Sequence, residues 1–329
     1  MGTLAEAIRQ QAYTIYPIIQ PADYPSLKTI NFYLIQREGG LALIDAGVDS
    51  DSCMGRLEDT LKQAGADIRD LDAILLTHHH EDHAGLVPRL LEIKDIPVYA
   101  HRDAVPRLKM DRNFLEMRLE FFRRLYREMG CGEMGAERFA RLEQTLRKAP
   151  QHALQAEINE IGEGDQIFGF EVIETPGHSP DSITFLDAAG RTAFTGDVLI
   201  SGSSVNAIID PTPNGSRLPS VSQQRRSLER LAGLGADILY TGHHEPIRII
   251  TGLVSDRISR MERKCEKLLK LIGSGISVPA RITEAYYRDL YRTQFPLVMS
   301  EIIGHLDYLE EQGKVTKTMS DGVWHYQNA

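Results

Sequence analysis

Four imidazoles and two carboxylates crowd into one short run, Thr77-His78-His79-His80-Glu81-Asp82-His83-Ala84-Gly85, three of the imidazoles and one carboxylate at metal-ligand spacing. Imidazole nitrogen and carboxylate oxygen are the donors that divalent transition metals take from proteins. The preceding stretch, residues 71–76, is apolar throughout apart from Asp72 and predicts a buried strand. In an extended continuation residues two apart point the same way, so His78, His80 and Asp82 converge, while His79 and Glu81 turn toward solvent or lie behind the ligand row. His83 then falls in the first turn of a helix with an apolar stripe of Leu86, Val87, Leu90 and Leu91. Gly85 permits close backbone packing at that turn.

One histidine-rich run is weak evidence alone, but three further stretches repeat its logic. Pro176-Gly177-His178-Ser179 follows a strand-like segment, as do Thr195-Gly196-Asp197 and Thr241-Gly242-His243-His244. Each places a His or Asp where a predicted strand ends, with a glycine just before it to let the chain turn.

These motifs, in this order, resemble the metallo-β-lactamase fold superfamily of metallohydrolases, the group containing glyoxalase II. The resemblance covers roughly residues 12–250. It implies an αββα sandwich in which His78, His80 and His178 hold one metal, Asp82, His83 and His243 a second, and Asp197 bridges them. It also implies that Asp45, in Leu43-Ile44-Asp45-Ala46-Gly47, orients a ligand without binding metal. Two departures stand out. The family commonly has Gly-His-Gly at its last ligand, whereas His244 follows His243 here; His244 either narrows the site entrance or faces solvent. The family often has a second glycine after the first motif, whereas Leu86 follows Gly85 here.

Two divalent cations balanced by Asp82, Asp197 and a hydroxide leave a positive centre that favours substrates developing an oxyanion. Water bound to such ions ionises near pH 7, so no serine or cysteine nucleophile is required. Attack on a carbonyl carbon follows, with Asp82 moving the proton toward the leaving group. The nitrogen-rich ligand set suits zinc, with iron or manganese as alternatives. The leading expectation is hydrolysis of a thioester or activated ester such as an acyl-coenzyme A. A lactonase, a mononuclear iron persulfide dioxygenase and a nuclease are the competing readings.

The chain has 329 residues, enough for a large catalytic domain (1–250) and an appendage (251–329). Its net charge of −9 argues against a general polyanion binder, so no nucleic-acid partner is expected. There is no apolar run of about 18 residues for a membrane helix, and residues 1–7 lack a basic segment followed by an apolar one, so no secretion signal is predicted. Cys53, Cys131 and Cys265 lie far apart in helix-like segments, which fits reduced thiols and a cytoplasmic location.

Residues 29–36 and 41–45 read as a strand pair, followed by a helix carrying Met54, Leu57, Leu61 and Ala64. A helical insertion is predicted over 103–150, with Leu115, Leu119, Phe122 and Tyr126 in one stripe. It carries eleven Lys and Arg against eight Asp and Glu, a local positive balance in an acidic chain. Either this is an amphipathic hairpin packed on the core, or it caps the site and receives a small anionic, partly apolar substrate through Phe122, Tyr126 and Arg123. Residues 200–221 form a long loop in which Arg217 meets either an anionic substrate group or solvent. A long helix over 251–272, helices over 282–293 and 296–312, and two short strands resemble a winged helix. The helix over 296–312 carries Glu301, Asp307, Glu310 and Glu311 but no Lys or Arg, so the tail is expected to serve packing or homodimerisation rather than phosphate binding.

Overall fold

The computed structural model describes residues 4–22, 27–148 and 153–329; the first three positions of the amino-terminal reading and the last two of the predicted insertion lie outside them. The first sheet runs, in order, β1 (Ile8–Arg9), β2 (Tyr13–Pro21), β3 (Thr29–Arg37), β4 (Gly40–Ile44), β5 (Leu71–Leu75), β6 (Val98–His101) and β7 (Ile158–Ile161). Its first members pair antiparallel, and β4 to β7 pair parallel. Parallel neighbours need crossovers. Helix α1 (Asp51–Gln63), capped by the Ser50 hydroxyl accepting from the Cys53 amide at 3.1 Å, supplies the first. Two short helices, α2 (Glu81–Ala84) and α3 (Val87–Ile93), supply the next.

The second sheet, from β8 (Gln166–Ile167) through β9 (Phe170–Glu174), β10 (Ile183–Asp187) and β11 (Thr192–Gly196) to β12 (Ile238–Thr241), lies against the first. Alternate residues of the two sheets, including Ile15, Tyr33, Ile44, Leu75, Phe170, Phe185, Phe194 and Tyr240, interdigitate in one buried core. Helix α1 covers the outer face of the first sheet with Cys53, Leu57 and Leu61. Helix α7 (Ser220–Gly233) and the start of α8 (Ile250–Gly273) cover the outer face of the second. This is the expected sandwich, its outer layers of helix enclosing two sheets.

The insertion folds as α4 (Val105–Leu108), α5 (Arg112–Glu128) and α6 (Gly132–Lys148). Its partner differs from the cap reading. Phe122 and Tyr126 are 7% and 6% exposed and pack with Phe121, Leu125 and Met129 against Tyr291, Phe295, Val298 and Met299 of the carboxy-terminal helices. The Tyr126 and Phe295 rings lie 5.5 Å apart. These side chains form a buried wall and are not open to substrate. A helical stripe identifies the buried face but not what it is buried against. Arg123 points outward, pairs with Glu120 and lies over the Phe139 ring at 5.8 Å.

The tail comprises α9 (Pro279–Tyr287), α10 (Leu290–Thr293), α11 (Phe295–Glu311) and a hairpin of β13 (Val315–Ser320) with β14 (Val323–Asn328). The single helix expected over 282–293 is broken at Arg288, whose φ of 52° no α-helix accommodates. Helix α8 joins two cores: Ile250 and Val254 pack under β12, whereas Cys265, Leu268 and Ile272 pack with Ile302, Leu306, Val315 and Tyr326. The three cysteines are free and buried, with Cys131 in the connector between α5 and α6. No helix among the described residues is long and apolar enough to cross a membrane.

One buried ion network ties the insertion to the long loop after β11. Asp210, 3% exposed, accepts from Arg107 Nε at 3.2 Å and from Arg118 Nε at 2.6 Å. Burial alone would raise the Asp210 carboxyl, but Arg118 and Arg107 outweigh it and hold the group below the usual range. Arg107 is itself 6% exposed, so removing its carboxylate leaves a buried cation uncompensated. The substitution Asp210→Ala is expected to lower unfolding stability by about 3 kcal/mol, read as a shift of the urea midpoint without change of slope. A change below about 0.5 kcal/mol would show that solvent already screens the pair.

Candidate metal centre

Seven side chains meet at the carboxyl ends of strands from both sheets. The loop after β5 brings His78 and His80, α2 brings Asp82 and His83, and the turns after β9, β11 and β12 bring His178, Asp197 and His243. His80 Nδ1 lies 3.0 Å from both His78 Nε2 and His178 Nε2. Asp197 spans the middle: its Oδ2 is 3.1 Å from His243 Nε2 and 3.7 Å from His178 Nε2, while Oδ1 is 3.5 Å from His83 Nε2. Asp82 closes the other side, 3.4 Å from His243 Nε2 and 3.9 Å from His83 Nε2. Donor atoms of His78, His80 and His178 fall within 4.8 Å of one another, as do those of Asp82, His83 and His243, and those of His78, His83 and Asp197.

The rings are fixed from behind. Asp45 turns into the site at a φ of 58°, a left-handed value that Asp tolerates better than most residues. Its Oδ2 lies 2.8 Å from His83 Nδ1, and Oδ1 accepts the Thr77 amide at 2.8 Å. Thr77, to which the spacing of the motif gives no role, is a positioning residue. Its hydroxyl donates to Asp45 Oδ2 at 2.8 Å and lies 3.1 Å from His78 Nδ1. His243 Nδ1 donates to the Thr29 carbonyl at 2.6 Å and His178 Nδ1 to the Asn206 carbonyl at 3.1 Å. With the outer nitrogens so engaged, the inner ones face the cluster. Glycine is required alongside: a side-chain carbon at Gly242 would strike Asp197 Oδ1 and His83.

His79 turns away from the ligand row, as alternation requires, but does not simply face solvent. Its amide and Nδ1 each lie 2.8 Å from the fully buried Asp181 carboxylate, which also accepts from Ser179. Asp181 thereby links the His78–His80 loop to the His178 turn. Nothing in the sequence run singled it out, because its partner lies a hundred positions away. His244, at a φ of 60°, is half-buried beside Gly202. Arg217 belongs elsewhere: it donates to Asp307 of α11 at 2.7 Å and is not an open anion contact.

Two atoms test whether this cluster suits metal. His83 Nε2 and Asp197 Oδ1 are buried and have no hydrogen-bond partner among the described residues. A buried imidazole and carboxylate aimed at one another without a good hydrogen bond are costly unless a cation shares them. The donor set of five imidazole nitrogens and two carboxylates fits two divalent ions.

The electrostatics divide the cluster. Burial, reinforced by neighbouring imidazoles, holds His78 and His80 well below the usual histidine range, and burial also lowers His178. Burial opposes charge on His83 and His243 as well, but Asp197 and its carboxylate neighbours outweigh it, pushing His83 well up and His243 up to about 9. In the metal-free protein at neutral pH the first three rings are neutral ligands, whereas His83 and His243 carry protons that a cation must displace. Metal titration at pH 6.5 should therefore fill one site tightly and a second weakly, the second tightening as pH approaches 9. Calorimetry showing two sites of equal, pH-independent affinity would contradict this. Thr77→Val should weaken metal binding about 10-fold without loss of fold, by releasing His78 and half of the Asp45 contacts.

Comparison with known proteins agrees with this geometry. The chain is 28% identical over 290 residues to the probable metallo-hydrolase YqjP of Bacillus subtilis (strain 168), covering 86% of this chain and 88% of the relative. It is 26% identical over 226 residues to a hydroxyacylglutathione hydrolase of Hahella chejuensis, covering 65% of this chain and 66% of that protein. The crystal structure of the metallo-beta-lactamase family protein TTHA1429 from Thermus thermophilus superposes with a TM-score of 0.77 at 27% identity, over 96% of this chain and 98% of that one. The family model for the metallo-beta-lactamase superfamily matches residues 26–243, a span that holds every residue of the cluster. The chain belongs to the metallo-beta-lactamase superfamily and is a metallo-hydrolase of that group.

Proposed function

We propose that this metallo-hydrolase cleaves thioesters or similarly activated esters of a small, anionic and partly apolar acyl compound. The observation that carries the reading is the convergence of seven donor side chains in which buried His83 Nε2 and Asp197 Oδ1 face one another without a hydrogen-bond partner among the described residues. His78, His80 and His178 would hold one divalent ion, Asp82, His83 and His243 the other, and Asp197 would contact both. The ions, zinc by preference for so many imidazoles, would supply an ionised water and an electrophile for the substrate carbonyl.

What the chain itself contributes follows from burial. The Asp197 side chain is 9% exposed and enclosed by His83, His178 and His243, so it holds position. The Asp82 side chain is 26% exposed and is the more open carboxylate. In the metal-free protein burial would raise its carboxyl, but His83 and His243 outweigh that and hold it well below the usual range, so it is ionised and ready to serve as a ligand; its greater exposure, not that shift, makes it the carboxylate able to meet a proton destined for the leaving group. A thiolate leaves readily, which limits the work such a carboxylate must do. Support for thioester chemistry comes from the similarity to a hydroxyacylglutathione hydrolase. Against a nucleic-acid substrate stands α11. Its carboxylates turn inward, Glu301 to Lys264, Asp307 to Arg217 and Glu310 to Lys317, and most of its length is buried. Most of its surface is thus committed to packing within the chain rather than to a groove. We read the chain as cytoplasmic, with its tail serving packing or homodimer contacts.

The test is a hydrolysis screen of metal-loaded protein across acyl-coenzyme A thioesters, glutathione thioesters, lactones and phosphodiesters. Thioesters should give the highest kcat/KM, and Asp197→Ala should abolish turnover together with half of the bound metal. Turnover confined to lactones or phosphodiesters would overturn the substrate class. One iron per chain with oxygen uptake on a persulfide would overturn hydrolysis.

A further inference from the structure

Main-chain pairing crosses between the two sheets at the point where the metal ligands gather. The Ile183 amide, at the start of β10, donates to the carbonyl of Thr77, just beyond β5, at 2.9 Å. In an antiparallel pairing the next such contact lies two residues onward along one chain and two residues back along the other, which matches His79 with Asp181. That contact is made, but not by the main chain alone. The His79 amide donates to Asp181 Oδ2 at 2.8 Å, so a side-chain carboxylate stands where a backbone carbonyl would.

The Asp181 side chain is fully buried, and its Oδ1 meets two more groups, His79 Nδ1 at 2.8 Å and the Ser179 hydroxyl. A carboxylate only accepts, so all three contacts are donations into it, two from His79 and one from Ser179. What the contact joins are the two chain segments of the first ligand group. His79 stands between His78 and His80, and Ser179 and Asp181 follow His178. Across the gap His80 Nδ1 and His178 Nε2 lie 3.0 Å apart.

The other ligand group has anchors of its own. The Ala46 amide donates to the His83 carbonyl at 2.6 Å, the Gly85 amide to the Gly47 carbonyl at 2.8 Å, and His243 Nδ1 to the Thr29 carbonyl at 2.6 Å. None of these involves Asp181. We propose that Asp181 is a positioning residue for the first metal group, setting the separation of His80 from His178 through the His79 main-chain amide; the proposal rests on the reading that His78, His80 and His178 hold one divalent ion. Three imidazoles can share an ion only while their nitrogens keep the spacing of its coordination geometry, so the carboxylate acts on affinity without touching a ligand ring.

The test titrates zinc into the full-length metal-free chain by calorimetry at pH 6.5, where the neutral first group binds ahead of the protonated second. The visible spectrum of the first equivalent of cobalt(II) is recorded alongside. Asp181→Ala should weaken the tighter phase about 10- to 100-fold, leave the weaker phase within about threefold, and alter the cobalt band. Asp181→Asn keeps an oxygen for the His79 amide and should restore the tighter phase to within about fivefold of wild type, whereas His79→Ala removes the ring but not the amide and should stay within about threefold. Equal weakening of both phases in Asp181→Ala is the mark of general destabilisation and would overturn the proposal. Weakening in His79→Ala as strong as in Asp181→Ala would assign the effect to the imidazole, and failure of Asp181→Asn to restore binding would assign it to the charge; either overturns the role of the amide. Should Asp181→Ala not fold, hydrogen exchange in the metal-free wild type carries the test: the His79 amide should exchange at least about 100-fold more slowly than an unprotected one, and free exchange would overturn the contact. A wild type with no tight phase would remove the metal reading and this proposal together, while a tight phase indifferent to Asp181→Ala removes this proposal alone.

Discussion

Burying imidazoles without stranding their outer nitrogens is the constraint on which this structure turns. Each ring nitrogen facing away from the cluster needs a partner, and the partners come from widely separated segments: Thr29 for His243, Asp45 for His83, Thr77 for His78 and Asn206 for His178. Meeting that demand brings the ends of both sheets into register. Asp45 adopts a left-handed backbone for it, and Gly242 gives up its side chain for it. A local cost of this kind is held in place by the surrounding sandwich, whose interlocked Phe170, Phe194 and Tyr240 leave the strand ends little freedom.

The cluster was legible in the sequence because metal coordination fixes residue type as well as position. A strand core accepts Val for Ile, but a ligand position accepts almost nothing for His. His78, His80, Asp82, His83, His178, Asp197 and His243 could therefore be picked out as a set from the family resemblance, and the structure brings their donor atoms together. Asp181 and the inward turn of His79 were hidden, since a buried aspartate in a short turn carries no periodic signal. The strands β2 and β7 went unread for a related reason: Pro17 interrupts the first, and the second has an exposed, acidic middle.

Phe122, Tyr126 and Arg217 illustrate what pattern cannot supply. Their spacing and charge marked them as surfaces needing partners, and each has one, but within the chain. The insertion packs Phe122 and Tyr126 against α10 and α11, and the long loop after β11 is clamped by Arg107 and Arg118 on one side and by Asp307 on the other. Tertiary packing names the partners of these side chains, which amphipathicity alone left open. The tail is likewise continuous with the rest, because α8 contributes to a core at either end.

The two groups of candidate ligands are also completed at different points along the chain. During synthesis His78, His80 and His178 are all available once residue 178 has left the ribosome, whereas His243 follows about 65 residues later. At ribosomal speeds of about 5–20 residues per second this interval is roughly 3 to 13 s. Throughout it, a nascent chain can present three nitrogen donors while the second group still lacks a ligand and cannot help to discriminate among cations.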